Sequence, residues 1–311
     1  MPLKIVVLGA GAVGAYYGGQ LARRGHEVTC FARGANLKAL REQGLEIRTP
    51  EGVVQPRVAA TDRVEQLGPA DFAILAVKSY SLRDMAPVVR HVALHGATVV
   101  PFLNGVETAE RLVAQGVPRA ALVGGLTQIS VVRVQPGVVE RLSPFQLVVV
   151  GELSGEMTDR VSRIATAFRE AGADARASDR ITVELWQKFV FITALAAACG
   201  LARSSVGPLR AHPLGRRLLE RAVREVVAVA RARGIPLPED EVTRVLGVIE
   251  GLPAGMKPSF LVDLEAAGPT ELDILSGAVS RFAEQAGVQA PVHDTATVAL
   301  ATPVASGAPQ A

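Results

Sequence analysis

KIVVLGAGAVG, residues 4–14, joins a short apolar run to a glycine-rich turn. The apolar run is typical of a parallel strand that is covered on both faces. Gly9, Gly11 and Gly14 have the GxGxxG spacing, which permits a tight turn, a close backbone approach to a pyrophosphate, and close helix–strand packing. Residues 13–24 then follow a helical pattern. This order predicts a dinucleotide-binding turn whose cofactor-binding residues are Gly9, Ala10, Gly11, Ala12, Val13 and Gly14.

The remainder of the chain divides into two parts of different pattern. Strand-like runs occupy residues 27–32, 72–77, 98–103 and 121–125, with two more within 138–151. Beyond about residue 180 the pattern is helical, at 183–201, 213–233, 240–249 and 269–286. We therefore predict an α/β fold in which a Rossmann-type doubly wound sheet domain (1–179) is followed by an all-α C-terminal domain (180–311). The small, polar residues 302–311 are expected to be frayed.

Length and composition exclude several classes of protein. The chain has 311 residues, 49% hydrophobic and 20% charged, with a net charge of +3, which favours a globular protein of two domains. Aromatic residues are only 4%, which argues against nucleic acid as a partner. The longest apolar run, residues 189–202, is too short to span a bilayer, and the N-terminus leads straight into a strand. A cytoplasmic protein without a membrane partner is expected.

Cysteine and histidine spacing gives no metal motif. The two cysteines, Cys30 and Cys199, are far apart, and the five histidines form no HxxxH or HExxH cluster. We therefore expect neither a disulfide nor a metal site.

The end of the second predicted strand bears on the choice of dinucleotide. NAD sites commonly place an acidic residue there, on the ribose hydroxyls. This strand ends Cys30-Phe31-Ala32 and is followed by Arg33, which is placed to bind a 2′-phosphate. NADP is therefore the predicted cofactor, and a solvated surface arginine is the alternative reading.

Two later strand ends also carry polar residues. Lys78 follows the run that ends at residue 77, and Asn104 follows the run that ends at residue 103. Ligands of open α/β sheets bind beyond the carboxyl ends of the strands. Both residues are therefore candidate cofactor contacts, although either could be an ordinary loop residue.

Six segments in one order carry a resemblance to a known family. They are GAGAVG, AVKSY, LNGVE, WQKFVF, KPSFLVD and TELDIL. Over residues 3–295 the chain resembles the ketopantoate reductase (2-dehydropantoate 2-reductase) family. The resemblance implies NADPH-dependent reduction of 2-dehydropantoate to pantoate in pantothenate biosynthesis. A homodimer is expected from the apolar second domain.

The resemblance also implies roles for individual residues. Lys188 corresponds to the catalytic lysine and Glu271 to the active-site glutamate, while Ser259 corresponds to a substrate-binding serine. Asn104 corresponds to an asparagine that touches nicotinamide and substrate, and Lys78 to a cofactor-side lysine. Each of the first three residues also has a structural alternative. Lys188 could extend its amine to water, Glu271 could be an acid favoured by a helix dipole, and Ser259 could be a helix N-cap.

The match departs from the family beside the lysine. The best-known members carry asparagines four and eight residues after it, where this chain has Ile192 and Ala196. Residues at these spacings share one helix face, so this wall is apolar. The alternatives are therefore a same-family oxidoreductase acting on another branched 2-oxo or 2-hydroxy acid, and a non-catalytic NADP-binding sensor.

Overall fold

A computed structural model describes residues 1–301, and the expected frayed tail at 302–311 lies outside the described residues. The strands are β1 (Lys4–Leu8), β2 (Glu27–Phe31), β3 (Glu46–Thr49), β4 (Gly52–Val54), β5 (Ala59–Thr61), β6 (Phe72–Leu75), β7 (Thr98–Pro101), β8 (Gly124–Gln135), β9 (Val138–Gly151) and β10 (Asp174–Ala177). The helices are α1 (Ala12–Arg23), α2 (Gly34–Glu42), α3 (Leu82–Leu94), α4 (Thr108–Val113), α5 (Asp159–Glu170), α6 (Ile181–Ala202), α7 (Val206–Ala211), α8 (Pro213–Ala232), α9 (Glu241–Glu250), α10 (Ser259–Glu265), α11 (Ser276–Ala286) and α12 (Pro291–Leu300).

The chain forms two compact units. The first comprises Met1–Leu103 and Glu107–Thr182, and the second comprises Asn104–Val106 together with the described residues from Val183 onward. The helical unit therefore takes three of its residues from the loop that follows β7.

A parallel five-stranded sheet organises the first unit, with the order β5-β2-β1-β6-β7. The chain leaves β1 in one direction to form β2 and β5, and returns to the other side of β1 to form β6 and β7. The strand order thus reverses between β1 and β6, where Leu8 is paired with Leu75. Such a reversal opens a crevice at the carboxyl ends of the strands. Apolar side chains fill both faces of this sheet, which confirms the predicted Rossmann-type fold class.

A second sheet, which the sequence analysis did not separate from the first, covers α1. Its order is β10-β9-β3-β4, and β8 pairs antiparallel with β9. The Tyr17 hydroxyl lies 2.7 Å from the Thr127 hydroxyl of β8, and the Tyr16 hydroxyl donates to Gln146 Oε1 of β9 at 2.7 Å. The two strand-like runs predicted within 138–151 form one strand.

The second unit is helical throughout its described part. α6 contributes much of the core, and α8 packs against α9, α11 and α12. By length and composition, the whole of α6 (22 residues) could cross a membrane. The sequence argument, which considered only the apolar run 189–202 and judged it too short to span a bilayer, is therefore wrong. However, 61% of the most apolar stretch of α6 is buried inside the protein, as in the core helix of a globular domain. No other helix among residues 1–301 meets that test.

One predicted helix is interrupted. In place of a continuous helix over 269–286, a 3-10 turn at Leu272–Ile274 precedes α11. Glu271 stands immediately before that turn, and its carbonyl oxygen accepts a hydrogen bond from the Leu275 N–H at 3.2 Å.

Candidate active site

The glycine turn between β1 and α1 has the geometry that a dinucleotide requires. Gly9 has a φ of +98°, and a Cβ there would stand 2.6 Å from Val77 Cγ1 and 2.8 Å from the Ala76 carbonyl oxygen. A Cβ on Gly14 would overlap the carbonyl oxygen of Gly9. A Cβ on Gly11, by contrast, would meet nothing within 4 Å. The first and third glycines therefore serve the fold, and the second leaves open space in front of the turn.

The start of α1 offers donors to an anion in that space. Ala12 and Val13 form the first turn, Gly11 is the N-cap residue, no side chain caps the helix, and no acidic residue lies in the first turn. The first N–H groups of a helix have no partner within it, and the helix dipole favours negative charge at this end. The turn and the helix start therefore fit a dinucleotide pyrophosphate.

Asn36 supports the turn, and the sequence analysis missed it. Its Nδ2 donates to the Ala10 carbonyl oxygen at 2.7 Å, and its Oδ1 accepts from the Gly137 N–H at 2.9 Å. Ala10 is itself buried. An asparagine soon after the second strand was the available signal, but only the fold shows that it reaches the turn.

Arg33 and Lys78 both follow strands of the parallel sheet. Arg33 is exposed, stands at the N-cap position of α2, and places its Cζ 5.6 Å from the centroid of the Phe31 ring. Lys78 is also exposed, and its carbonyl oxygen accepts from the Ser81 N–H at 2.9 Å. Each begins a loop at the carboxyl end of its strand, as the sequence predicts.

The helical unit brings together Asn104, Lys188 and Glu271. Asn104 Nδ2 donates to Glu271 Oε2 at 3.0 Å, and the Glu271 side chain is buried. Lys188 projects from α6 and is partly buried. Burial lowers the pKa of Lys188 from 10.5 to about 8, although the nearby negative charge of Glu271 acts in the opposite direction. A lysine with this pKa can hold or release a proton near neutral pH.

Ser259 is the first residue of α10 and is exposed. Pro258 occupies the N-cap position before it, so the alternative role of Ser259 as a helix N-cap is wrong. A neighbouring ion pair, in which Lys257 Nζ contacts the two carboxylate oxygens of Glu265 at 2.8 and 2.9 Å, links the start of α10 to its end.

The face of α6 that continues from Lys188 is apolar. Ile192 is partly buried and Ala196 is buried, one and two turns after the lysine. Neither Ile192 nor Ala196 can accept or donate a hydrogen bond through its side chain. Within residues 1–301, no group of three or more His, Cys, Asp or Glu side chains could hold a metal ion.

A parallel sheet with a glycine turn at the reversal of its strand order, followed by a helical unit, defines a protein of the Rossmann-type dinucleotide-binding class. Two family models match the chain: Ketopantoate reductase PanE/ApbA over residues 5–155, and Ketopantoate reductase PanE/ApbA C terminal over residues 180–303. The chain belongs to the ketopantoate reductase family, which confirms the resemblance seen in the sequence.

Individual relatives agree over nearly the whole chain. An uncharacterized oxidoreductase, YkpB, of Bacillus subtilis is 31% identical, covering 94% of this chain and 96% of the relative. A 2-dehydropantoate 2-reductase of Halobacterium salinarum is 32% identical with the same coverage. The crystal structure of 2-dehydropantoate 2-reductase from Geobacter metallireducens is 26% identical, with a TM-score of 0.88 over 96% of this chain and 99% of that one.

Proposed function

We propose that the protein is an NADP-dependent oxidoreductase that reduces a 2-oxo acid to the 2-hydroxy acid, with 2-dehydropantoate as the first candidate substrate and pantoate as the product. The observation that carries the proposal is the Lys188 amine, whose pKa is lowered to about 8, beside the buried Glu271 carboxylate that Asn104 holds. A cofactor-binding sensor needs neither a proton donor nor a carboxylate that orients one.

The residues of the chain supply the proton and the orientation of the substrate. A bound nicotinamide would supply the hydride that adds to the substrate C2 carbonyl. As the C2–H bond forms, the carbonyl oxygen gains an electron pair, and the Lys188 ammonium donates a proton to that oxygen and becomes a neutral amine. Water then returns a proton to the amine. Glu271 and Asn104 orient this exchange, and Ser259 is the proposed contact for the substrate carboxylate.

Arg33 supports NADP over NAD. No acidic side chain stands at the carboxyl end of β2, and the exposed Arg33 occupies the N-cap position of the next helix. A guanidinium binds a phosphate by charge-assisted hydrogen bonds, which the ribose hydroxyl of NAD cannot replace. Arg33→Ala is expected to weaken NADPH binding while leaving NADH binding nearly unchanged, as measured by titration of each cofactor. Equal NADPH affinity in both proteins would remove this role.

The test of the proposal is the consumption of NADPH with a panel of 2-oxo acids. Wild type is expected to turn over at least one of them, and Lys188→Met to lose at least about a hundredfold in kcat, the scale of general acid catalysis. Because Lys188 must be protonated, kcat of the wild type should fall as pH rises through about 8. Lys38→Met, at an exposed lysine of α2, is the matched control. NADPH binding without turnover on any member would favour the sensor.

A second candidate function follows from the apolar face that Ile192 and Ala196 give to α6. A substrate hydroxyl buried there without a partner costs about 1–3 kcal/mol, which is about ten- to a hundredfold in specificity. We therefore propose another branched 2-oxo acid as the alternative substrate. 2-Dehydropantoate and its deoxy analogue 3,3-dimethyl-2-oxobutanoate distinguish the two functions. A preference for the hydroxylated ketone of several thousandfold in wild type would exclude the alternative, whereas Ile192→Asn/Ala196→Asn should increase a weak preference.

The proposal also includes a cellular setting. As a member of a family of soluble metabolic enzymes, the protein would act in the cytoplasm, in pantothenate biosynthesis if 2-dehydropantoate is its substrate. We propose a homodimer, and the oligomeric state is measured directly by sedimentation.

A further inference from the structure

The second half of the helix that carries Lys188 is made largely of small apolar residues. Every residue from 193 to 200 on α6 is buried, so this part of the helix is enclosed on all sides. Ala194, Ala196, Ala197 and Ala198 give it a smooth surface, whereas interlocking of helices depends on ridges and grooves of larger side chains. Apolar burial on all sides specifies the rotation of this part of the helix less sharply than a directional polar contact would.

A polar contact in the first half of α6 adds a directional constraint on the rotation of this helix. Gln187 Nε2 donates to Glu241 Oε2 at 3.0 Å. Glu241 is the first residue of α9, and none of its surface is exposed. Arg244, one turn later, donates to the same carboxylate from Nε at 2.9 Å and from Nη2 at 2.5 Å. The Glu241 carboxylate is thus bound by Arg244 of its own helix and accepts a hydrogen bond from Gln187 of α6.

Burying the Glu241 carboxylate costs free energy, so a contribution to stability does not by itself explain why a charged group lies there. A fully buried carboxylate loses its hydration, and a buried ion pair commonly contributes less to stability than apolar side chains of the same volume. In some proteins such a contact provides a preference for one geometry over near-equivalent ones. Gln187 is adjacent to Lys188 in the chain, so fixing the first fixes the direction of the second.

We propose that Gln187, Glu241 and Arg244 form a positioning device that sets the rotation of α6 and so holds the Lys188 amine beside Glu271. The inference rests on the proposed role of Lys188 as the proton donor. Each residue along an α-helix is turned by about 100° from the one before, so a rotation of even a fraction of that step displaces the amine. Displacements of about 1 Å in a catalytic group can reduce a rate by about a hundredfold.

The charged groups around Lys188 make its titration a direct measure of position. Glu271 faces the amine, and Glu184 lies one turn earlier on the same helix. Glu241 and Arg244, on α9, neutralise one another through their ion pair. Wild-type Lys188 has a pKa of about 8, and an amine that turns toward water approaches the ordinary value of about 10.4.

The experiment measures that pKa without requiring turnover. The chain contains five lysines: Lys4, Lys38, Lys78, Lys188 and Lys257. Brief labelling with a trace of acetic anhydride over a range of pH, followed by mass spectrometry, gives the reactivity of each amine separately. The result therefore stands even if no 2-oxo acid proves to be a substrate, and the failure of the proposed function would be seen separately in the NADPH assay.

Three variants change the contact in different ways. Gln187→Leu removes the donor, Gln187→Glu places a second carboxylate against Glu241, and the double variant Gln187→Glu/Glu241→Gln restores one donor and one acceptor with their places exchanged. Glu220→Gln, which breaks an exposed ion pair with Arg224 on α8, is the matched control. Thermal unfolding is measured for all of them.

We expect Gln187→Leu to raise the pKa of Lys188 by more than about one pH unit toward its ordinary value. In the NADPH assay, kcat should fall by about ten- to a hundredfold with little change in the KM for NADPH. The double variant should recover part of both effects, and Glu220→Gln should change neither. If the variants only unfold at lower temperature while the pKa of Lys188 and kcat stay at wild-type values, the contact is merely structural and the proposal is wrong. If Gln187→Glu does not fold, Gln187→Leu and the double variant decide.

Discussion

Replacing Lys188 with methionine should make the protein more stable. Methionine keeps the length and the apolar stem of the side chain but removes the charge. At 1.36 kcal/mol for each pH unit, the lowering of the pKa of Lys188 from 10.5 to about 8 corresponds to about 3 kcal/mol, with the attraction of Glu271 already included. This is the free energy by which folding opposes the protonated lysine near neutral pH. Lys188→Met should therefore raise the free energy of unfolding by about 2–3 kcal/mol at neutral pH.

The gain should depend on pH in a definite direction. The pKa of Lys188 is lower in the folded than in the unfolded chain, so between about 8 and 10.5 the unfolded chain binds more protons. Wild-type stability contributed by this group consequently rises with pH through that window, and the advantage of the variant should shrink to nothing near its upper end.

Trp186 provides the assay. It is the only tryptophan in the chain, lies on α6 two residues before Lys188, and packs against Phe189 and Phe282. Its fluorescence during denaturant unfolding reports on the helical unit. Lys38→Met, which removes an exposed charge, is the control and should change stability by less than about 0.5 kcal/mol. A variant at Lys188 that is no more stable than wild type, or whose difference from it is the same at neutral and alkaline pH, would refute the reasoning.

Three further outcomes are expected. Gly14→Ala should destabilise the fold by about 1–3 kcal/mol because its Cβ would overlap a backbone oxygen. Gly11→Ala has open space around its Cβ, so it should fold normally and lose affinity in an NADPH titration. Equal losses of stability in the two variants would contradict this. Burial raises the pKa of Cys30 to about 12 and that of Cys199 to about 11, so mass spectrometry should find iodoacetamide adducts on neither thiol until the protein is unfolded. Glu225 accepts hydrogen bonds from the first two N–H groups of α12, so Glu225→Ala should lower the free energy of unfolding by about 1–3 kcal/mol in a denaturant titration, and a change below about 0.5 kcal/mol would contradict that role.

Four of the five strands of the parallel sheet could be predicted from the sequence because they are largely covered on both faces; β5, with only three residues and partly exposed, was missed. β1, β2, β6 and β7 are short apolar runs, each followed by a glycine turn or a polar residue, and these signals are local. The short helices α4 and α7 were not predicted because six residues contain too little of a helical period.

The second sheet could not be separated from the first by the same signals. β9 reads as two runs because Ser143-Pro144 interrupts its apolar pattern. In the structure the strand continues, and the register with β8 passes from Gln146 to Arg141 with the intervening residues outside the ladder. Proline lacks the N–H that a ladder needs, and it is tolerated at such an irregular place. The Pro136-Gly137 pair between β8 and β9 was an available hairpin signal.

The candidate roles of Lys188, Glu271 and Ser259 came from the resemblance, whereas Asn104 was also a candidate from its place after a strand. Asn104 and Glu271 are 167 residues apart, and no spacing rule connects them. Their hydrogen bond and the lowered pKa of Lys188 exist only after folding, because burial supplies the first cause of that pKa. Asn36 was missed for the same reason.

Because Asn104–Val106 belong to the helical unit, a single cut in the chain near residue 180 cannot separate that unit whole. A fragment that begins at Val183 would carry Lys188 and Glu271 but not the amide that holds the glutamate. It would also lose Val106 from its core and the close contact of Gly105, where a Cβ would stand 3.2 Å from the Ile274 carbonyl oxygen. Exchanging helical halves between family members therefore requires that the loop after β7 travels with them. A chimaera joined only near residue 180 would pair the glutamate of one parent with the asparagine of the other.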